Sequence, residues 1–200
     1  MSTPLEAAGL NLNDTLWSAK ALLECPDLVR KVHYDYYAAG ANAVEACSYQ
    51  ATEAAFARKG IEKAEASRLI RLSGELVREA KNDALLEHPE WDPADLLTAG
   101  SIGPYGAYLA DGSEYTGAYN LTREEYYAFH QLRLDELLNS GMDILAIETQ
   151  PRFDEIEALL AMIADRDITC WVTVTLKDGD MPDGTKLEVP THRYNAIPHL

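Results

Sequence analysis

Three times in this chain a nearly continuous apolar run ends abruptly in polar groups. Val44-Glu45-Ala46-Cys47 passes into Ser48-Tyr49-Gln50, and Leu96-Leu97-Thr98-Ala99 into Gly100-Ser101-Ile102-Gly103-Pro104. Ile144-Leu145-Ala146-Ile147 passes into Glu148-Thr149-Gln150-Pro151. A strand covered on both faces reads as such a run, the mark of a parallel sheet flanked by helices. Polar groups at the C-terminal ends of parallel strands are where α/β folds place their sites.

Between these runs the periodicity changes to that of helices. Pro26 opens a helix over 26–39 with Gly40 as its stop, and Leu28, Val32 and Tyr36 repeat on one face. The spacing of Leu69, Leu72, Leu76, Ala80 and Ala84 predicts a long helix over 62–86. Thr122 and Glu125 form a capping box for a helix reaching 139, and Phe153, Ile156, Leu159, Leu160 and Ile163 mark another. Strands are expected at 43–49, 96–102, 144–148 and 170–176, with 103–121 as a loop rich in Gly and Tyr. Strands alternating with helices imply βα units, parallel pairing and right-handed crossovers. Residues 177–200 show no helical period, so no helix is expected to cover the fourth strand.

At 200 residues and 47% apolar content the chain can bury one sizeable core. Its 33 acidic against 17 basic residues give a formal charge of −16, which repels phosphate backbones and anionic lipid. Neither nucleic acid nor a membrane is therefore an expected partner, and no apolar stretch approaches the roughly 20 residues of a membrane span. The amino-terminal residues lack the basic and apolar regions of a signal peptide. Cysteines at only 25, 47 and 170 suggest no disulfide framework, and a cytoplasmic location is expected.

Glu148 is the sharpest candidate. A carboxylate directly after Ile-Leu-Ala-Ile is costly unless it is paired or sits at the wet end of its strand, where it can grip a cation. Glu45, inside an apolar run, reads as a structural acid paired across the sheet. On local sequence Tyr49 and Gln50 read as capping groups and Trp17 as core. Cys47 and Cys170 fall at opposite ends of their strands, and the histidines show no paired spacing, so no zinc site is expected from this chain's own residues. Gly100–Gly106 has neither dinucleotide nor P-loop spacing and reads as a tight turn.

Several blocks resemble one family. They are Leu12-Asn13-Asp14-Thr15-Leu16-Trp17-Ser18-Ala19-Lys20, Ser48-Tyr49-Gln50-Ala51-Thr52, the long glycine–tyrosine block from Gly100 to Tyr115, Glu148-Thr149-Gln150-Pro151, and Asp183-Gly184-Thr185. Over about 5–188 the chain is similar to the homocysteine S-methyltransferases, in the branch using S-methylmethionine or S-adenosylmethionine. The resemblance implies a (β/α)8 barrel and transfer of a methyl group from a sulfonium donor to the thiol of homocysteine, giving methionine. It also implies a zinc ion, held by three cysteines, on that thiolate. By position, Glu148 is expected to take the homocysteine amino group, Tyr49 to line the pocket and Trp17 to lie near the donor. Ser48, Gln50 and Thr149 are further candidates for substrate contact.

The chain departs from that pattern at both ends. The family's Asp-Gly pair in the first strand would precede Met1, and its zinc cysteines lie in later strands, two of them in a Gly-Gly-Cys-Cys run absent here. The expectation is a partial barrel holding strands two to five of eight, with 1–189 an incomplete domain and 190–200 an irregular tail left by truncation, a changed reading frame or an unspliced intron. Two readings of function follow: the family enzyme, or an inactive fragment lacking the zinc cysteines, whether a binding module or an artefact of the gene model.

Overall fold

A computed structural model describes residues 1–186; the tail expected at 190–200 lies outside them. The amino-terminal third supplies helices α1 (Ser2–Ala7), α2 (Ala21–Glu24) and α3 (Pro26–Ala38), the last begun by Pro26 at its first position. Strand β1 (Ala43–Glu45) follows, then α4 (Glu53–Ala57) and the 25-residue α5 (Lys63–Glu87). Strand β2 (Leu97–Ile102) leads into two short helices, α6 (Tyr105–Leu109) and α7 (Ser113–Thr116), inside the segment expected to be loop. Helix α8 (Arg123–Asn139) opens on the expected capping box, with Thr122 Oγ1 accepting from Glu125 N–H and Glu125 accepting from Thr122 N–H. Strand β3 (Ile144–Gln150), helix α9 (Phe153–Ile163) and strand β4 (Thr169–Val174) complete the order.

The four strands form one parallel sheet in the order β1-β2-β3-β4. Each strand pairs with the next in sequence, as in a barrel wall. A doubly wound sheet would reverse direction at a switch point. Helix α3 packs on α5, α5 on α8 and α8 on α9, covering one face of the sheet. Val44, Leu145 and Ile147 are fully or almost fully buried among them. The fold is thus the expected α/β partial barrel.

The register fixes the opposite face. Glu45 aligns with Ala99 and Ile144, and Ser101 with Ala146 and Trp171, so Glu45, Ser101 and Glu148 point to the same side. Three strand ends differ from expectation by two residues or more, β4 closing at Val174 rather than 176. β1 stops at Glu45, because the chain turns at Cys47–Gln50 and the Ser48 hydroxyl donates to Ser101 O at 2.7 Å, next along the neighbouring strand. β3 runs on to Gln150 through an irregular register after Ile147. Val172 of β4 is 37% exposed, and the expectation that no helix covers this strand falls partly on residues outside those described. No helix among the described residues is long and apolar enough to cross a membrane.

Candidate functional site

The face carrying Glu45, Ser101 and Glu148 opens into a cavity of about 760 Å³. Its wall holds the carboxylates of Asp14, Glu45, Glu114 and Glu148 and the rings of Trp17, Tyr36, Tyr49, Tyr115 and Trp171. No lysine or arginine side chain among the described residues lines it. Asp14 is already neutralised by Lys59 at 2.8 Å.

Glu148 stands on β3 with one carboxylate oxygen accepting from the Ser101 hydroxyl of β2. Burial pushes its carboxyl up to about 7. The Ser101 hydroxyl opposes the shift, neighbouring Glu45 adds to it, and Arg133 opposes it from behind. Glu45 is not the paired structural acid expected: it makes no salt bridge among the described residues, and burial raises its carboxyl as well. Two acids on adjacent ladders thus share one cavity.

Trp17 corrects the reading of it as core. It is 38% exposed, with φ of 46°, a region bulky residues rarely occupy. The turn before it explains the conformation. Asp14 accepts from Leu16 N–H at 2.9 Å through its side chain and from Trp17 N–H at 2.9 Å through its carbonyl. The Trp17 ring meets Tyr49 edge-on, centroids 6.2 Å apart at 76°. Burial raises the Tyr49 phenol, which also meets the Thr149 side chain. Thr149 itself has φ of 58°, held by its N–H donating to Thr173 Oγ1 at 2.9 Å. Gln50 lines the cavity but is anchored, Nε2 donating to Ala107 O at 2.9 Å. Ser48 does not line it; its hydroxyl is spent on Ser101 O. The structure therefore brings Trp17, Tyr49, Gln50, Glu148 and Thr149 to one cavity and leaves Ser48 beneath it.

Sequence reasoning missed a buried network under the floor. Arg133 of α8 is 1% exposed and donates to Tyr49 O at 2.6 Å, to Gly103 O at 2.6 Å and to His130 Nδ1 at 2.7 Å. His130 Nε2–H then donates to Glu155 Oε1 of α9 at 2.8 Å. Glu155 also accepts from Tyr105 N–H at 2.7 Å and the Tyr119 hydroxyl at 2.6 Å. Burial lowers His130, keeping it neutral between its partners, and brings Arg133 down to about 10, still cationic at neutral pH. Gly103 lies so close to Tyr49 that a Cβ there would sit 2.7 Å from the Tyr49 carbonyl oxygen.

The thiols do not suit a metal. Cys47 is buried, its Sγ–H donates to Ser18 O at 3.2 Å, and burial pushes the thiol up to about 12. Burial raises Cys25 and Cys170 too, and metals bind the thiolate. Among the described residues no three or more His, Cys, Asp or Glu side chains converge as a metal site. His33, buried against the cavity, has a partner on neither ring nitrogen, and burial, with the amino terminus nearby, pushes it down to about 3.

Comparison with known proteins agrees with this architecture. The family model for homocysteine S-methyltransferase matches residues 1–196. The chain is 51% identical over 189 residues to homocysteine S-methyltransferase of Escherichia coli and 45% over 188 residues to homocysteine S-methyltransferase YbgG of Bacillus subtilis. These alignments cover 94% and 92% of this chain but 60% of each relative, so the chain spans about 60% of their length. The crystal structure of the homocysteine methyltransferase MmuM from Escherichia coli in its metallated form superposes with a TM-score of 0.88 at 50% identity, covering 93% of this chain and 65% of that one. The chain belongs to the homocysteine S-methyltransferase family.

Proposed function

We propose that this chain supplies the substrate-gripping wall of a homocysteine S-methyltransferase, the cavity taking homocysteine and a sulfonium methyl donor. One observation carries the reading: among the described residues four carboxylates, one of them paired with Lys59, and five aromatic rings line the cavity, against the single cation of the Met1 amino terminus. Such a lining suits small cationic molecules. Homocysteine bears an ammonium, and the donor of the family reaction bears a sulfonium. Glu148 takes the homocysteine ammonium through the oxygen not occupied by Ser101, and the Trp17–Tyr49 corner presents ring faces to the sulfonium. Transfer of the methyl group forms a carbon–sulfur bond to the thiol sulfur as the donor's methyl–sulfur bond breaks, leaving methionine, a neutral thioether and the thiol proton released to solvent.

The zinc implied for the complete domain does not fit the donors described here, because the buried thiol of Cys47 is hydrogen-bonded and protonated. That mismatch favours a second reading, in which the chain binds substrate without turnover. Calorimetric titration of the 200-residue chain with homocysteine tests the site. Loss of a charge-assisted hydrogen bond costs about 1.5–3 kcal/mol, so Glu148→Gln should weaken binding roughly 10- to 150-fold. Equal affinity in both proteins would show Glu148 to be structural. Methionine formed from homocysteine and S-methylmethionine separates turnover from binding alone.

A further inference from the structure

Helix α8 places Arg133 beneath Tyr49 and Gly103, 1% exposed, where an ordinary arginine would lie at the surface. Its two terminal nitrogens serve backbone carbonyls at matched places in the fold. Tyr49 O lies in the turn after β1, and Gly103 O lies just past the end of β2, two residues after Ser101. One planar group thus spans two strand ends, a geometry that lysine cannot reproduce. The orientation is not free. His130 Nδ1 receives the guanidinium, which fixes the tautomer, and the opposite ring N–H is committed to Glu155. Glu155 in turn receives Tyr105 and Tyr119, so the loops after β1 and β2 and the helix after β3 share one clamp.

We propose that Arg133 is a positioning residue for this cavity: clamped by His130 and Glu155, it fixes the backbone of Tyr49 and Gly103 and holds a permanent positive charge behind Glu148. The groups acting on Glu148 come from several elements: the Ser101 hydroxyl from β2, Glu45 from β1, Arg133 from α8 and the amino terminus. Of these, Glu45 disfavours the carboxylate, while the other three favour it. Removing Arg133 takes away one of the two cationic contributions and leaves two buried carbonyls without their donor.

The inference rests on reading this cavity as the ligand site, but its test needs no ligand. In the full chain labelled with ¹³C-glutamate, the Glu148 carboxyl is titrated by NMR in wild type, Arg133→Met and Arg133→Lys. The Trp17–Tyr49 ring contact is followed by NOE. Arg133→Met should raise the Glu148 midpoint and abolish the NOE. Arg133→Lys should keep the midpoint, because the charge remains, yet weaken the NOE, because one ammonium cannot serve both carbonyls in the same plane. A folded Met variant with both readouts unchanged overturns the proposal. If the Met variant does not fold, an undiminished NOE in the Lys variant overturns it equally. Homocysteine titrated into the same wild-type sample keeps the two ideas apart. Failure to bind would count against the functional reading while the carboxyl and ring readouts still decide on Arg133.

Discussion

The Ser101 hydroxyl on β2 donates to the Glu148 carboxylate on β3, linking adjacent strands on the open face of the sheet. The bond engages one oxygen and leaves the other for the cavity. Even so, burial and the nearby Glu45 keep the carboxyl high, at about 7. A carboxyl whose folded value lies above its unfolded value favours the fold below the unfolded value. That contribution is lost as pH rises through the folded one.

Glu148→Gln should therefore stabilise the chain at pH 8 and leave it unchanged near pH 4. A rise from 4.5 to about 7 corresponds to a gain on the order of 3 kcal/mol once the carboxylate is removed. Urea melts at the two pH values measure it. A variant no more stable than wild type at pH 8 would show that Glu148 is better solvated than its surroundings indicate.

His33 works in the opposite direction. Its folded value, about 3, lies far below the ordinary 6.5, so its contribution is present above pH 6.5 and fades as pH falls toward 3. His33→Leu removes a buried ring with two unpartnered nitrogens and should raise Tm at pH 4 by at least about 4 °C, with a smaller change at pH 7. Calorimetric scans at both pH values check the difference.

Gly103→Ala forces a methyl group to within 2.7 Å of both the Tyr49 carbonyl oxygen and its ring. Overpacking of this kind costs about 1–3 kcal/mol, and the displaced partner here is a cavity wall. The variant should melt earlier and lose affinity for homocysteine together, because one movement causes both.

Thiol accessibility offers an independent check on burial. With an aromatic disulfide reagent at pH 8, Cys25 and Cys170, both partly exposed, should react ahead of Cys47. Cys47 should react only after denaturant is added, because it is buried and its thiol lies near 12. Three equally fast thiols would contradict the packing around Ser18.

Much of this architecture was legible from local chemistry. The Thr122–Glu125 capping box and the proline start of α3 each follow from a few residues of pattern. The length of β1 was not legible. Its apolar run continues through Cys47, and only the Ser48–Ser101 bond, between residues 53 apart, shows where the strand must turn. The position of Glu148 at the end of an apolar strand was visible for the same reason that it is costly there. The Arg133–His130–Glu155 clamp was invisible. Charged residues in a helix read as a solvated face; Arg133 bonds to carbonyls that carry no side-chain signature, and its link to Glu155 through His130 joins two separate helices. Trp17 was misread because its polar neighbours form a turn that turns the ring outward, a backbone effect that hydropathy does not register.

The sheet ends also have a solution consequence. Among the described residues β1 and β4 each pair on one side only, and Val172, Phe153 and Leu160 are exposed nearby. Unpaired edges with apolar surface favour association, while a charge of −16 opposes it. Sedimentation of the isolated chain should show self-association that strengthens with added salt, as screening shortens the reach of the repulsion. A monodisperse species with one cooperative melt at high salt would count against it.

The strand order β1-β2-β3-β4 has a bearing on how the chain comes to be folded. Among the described residues each strand pairs only with its neighbours in sequence, so each of these closures spans one βα unit and its loop entropy stays small. The sheet can grow in the direction of synthesis, every new strand docking on one already in place. A ribosome that has released residues up to β3 has therefore already released every partner of the Ser101–Glu148 bond.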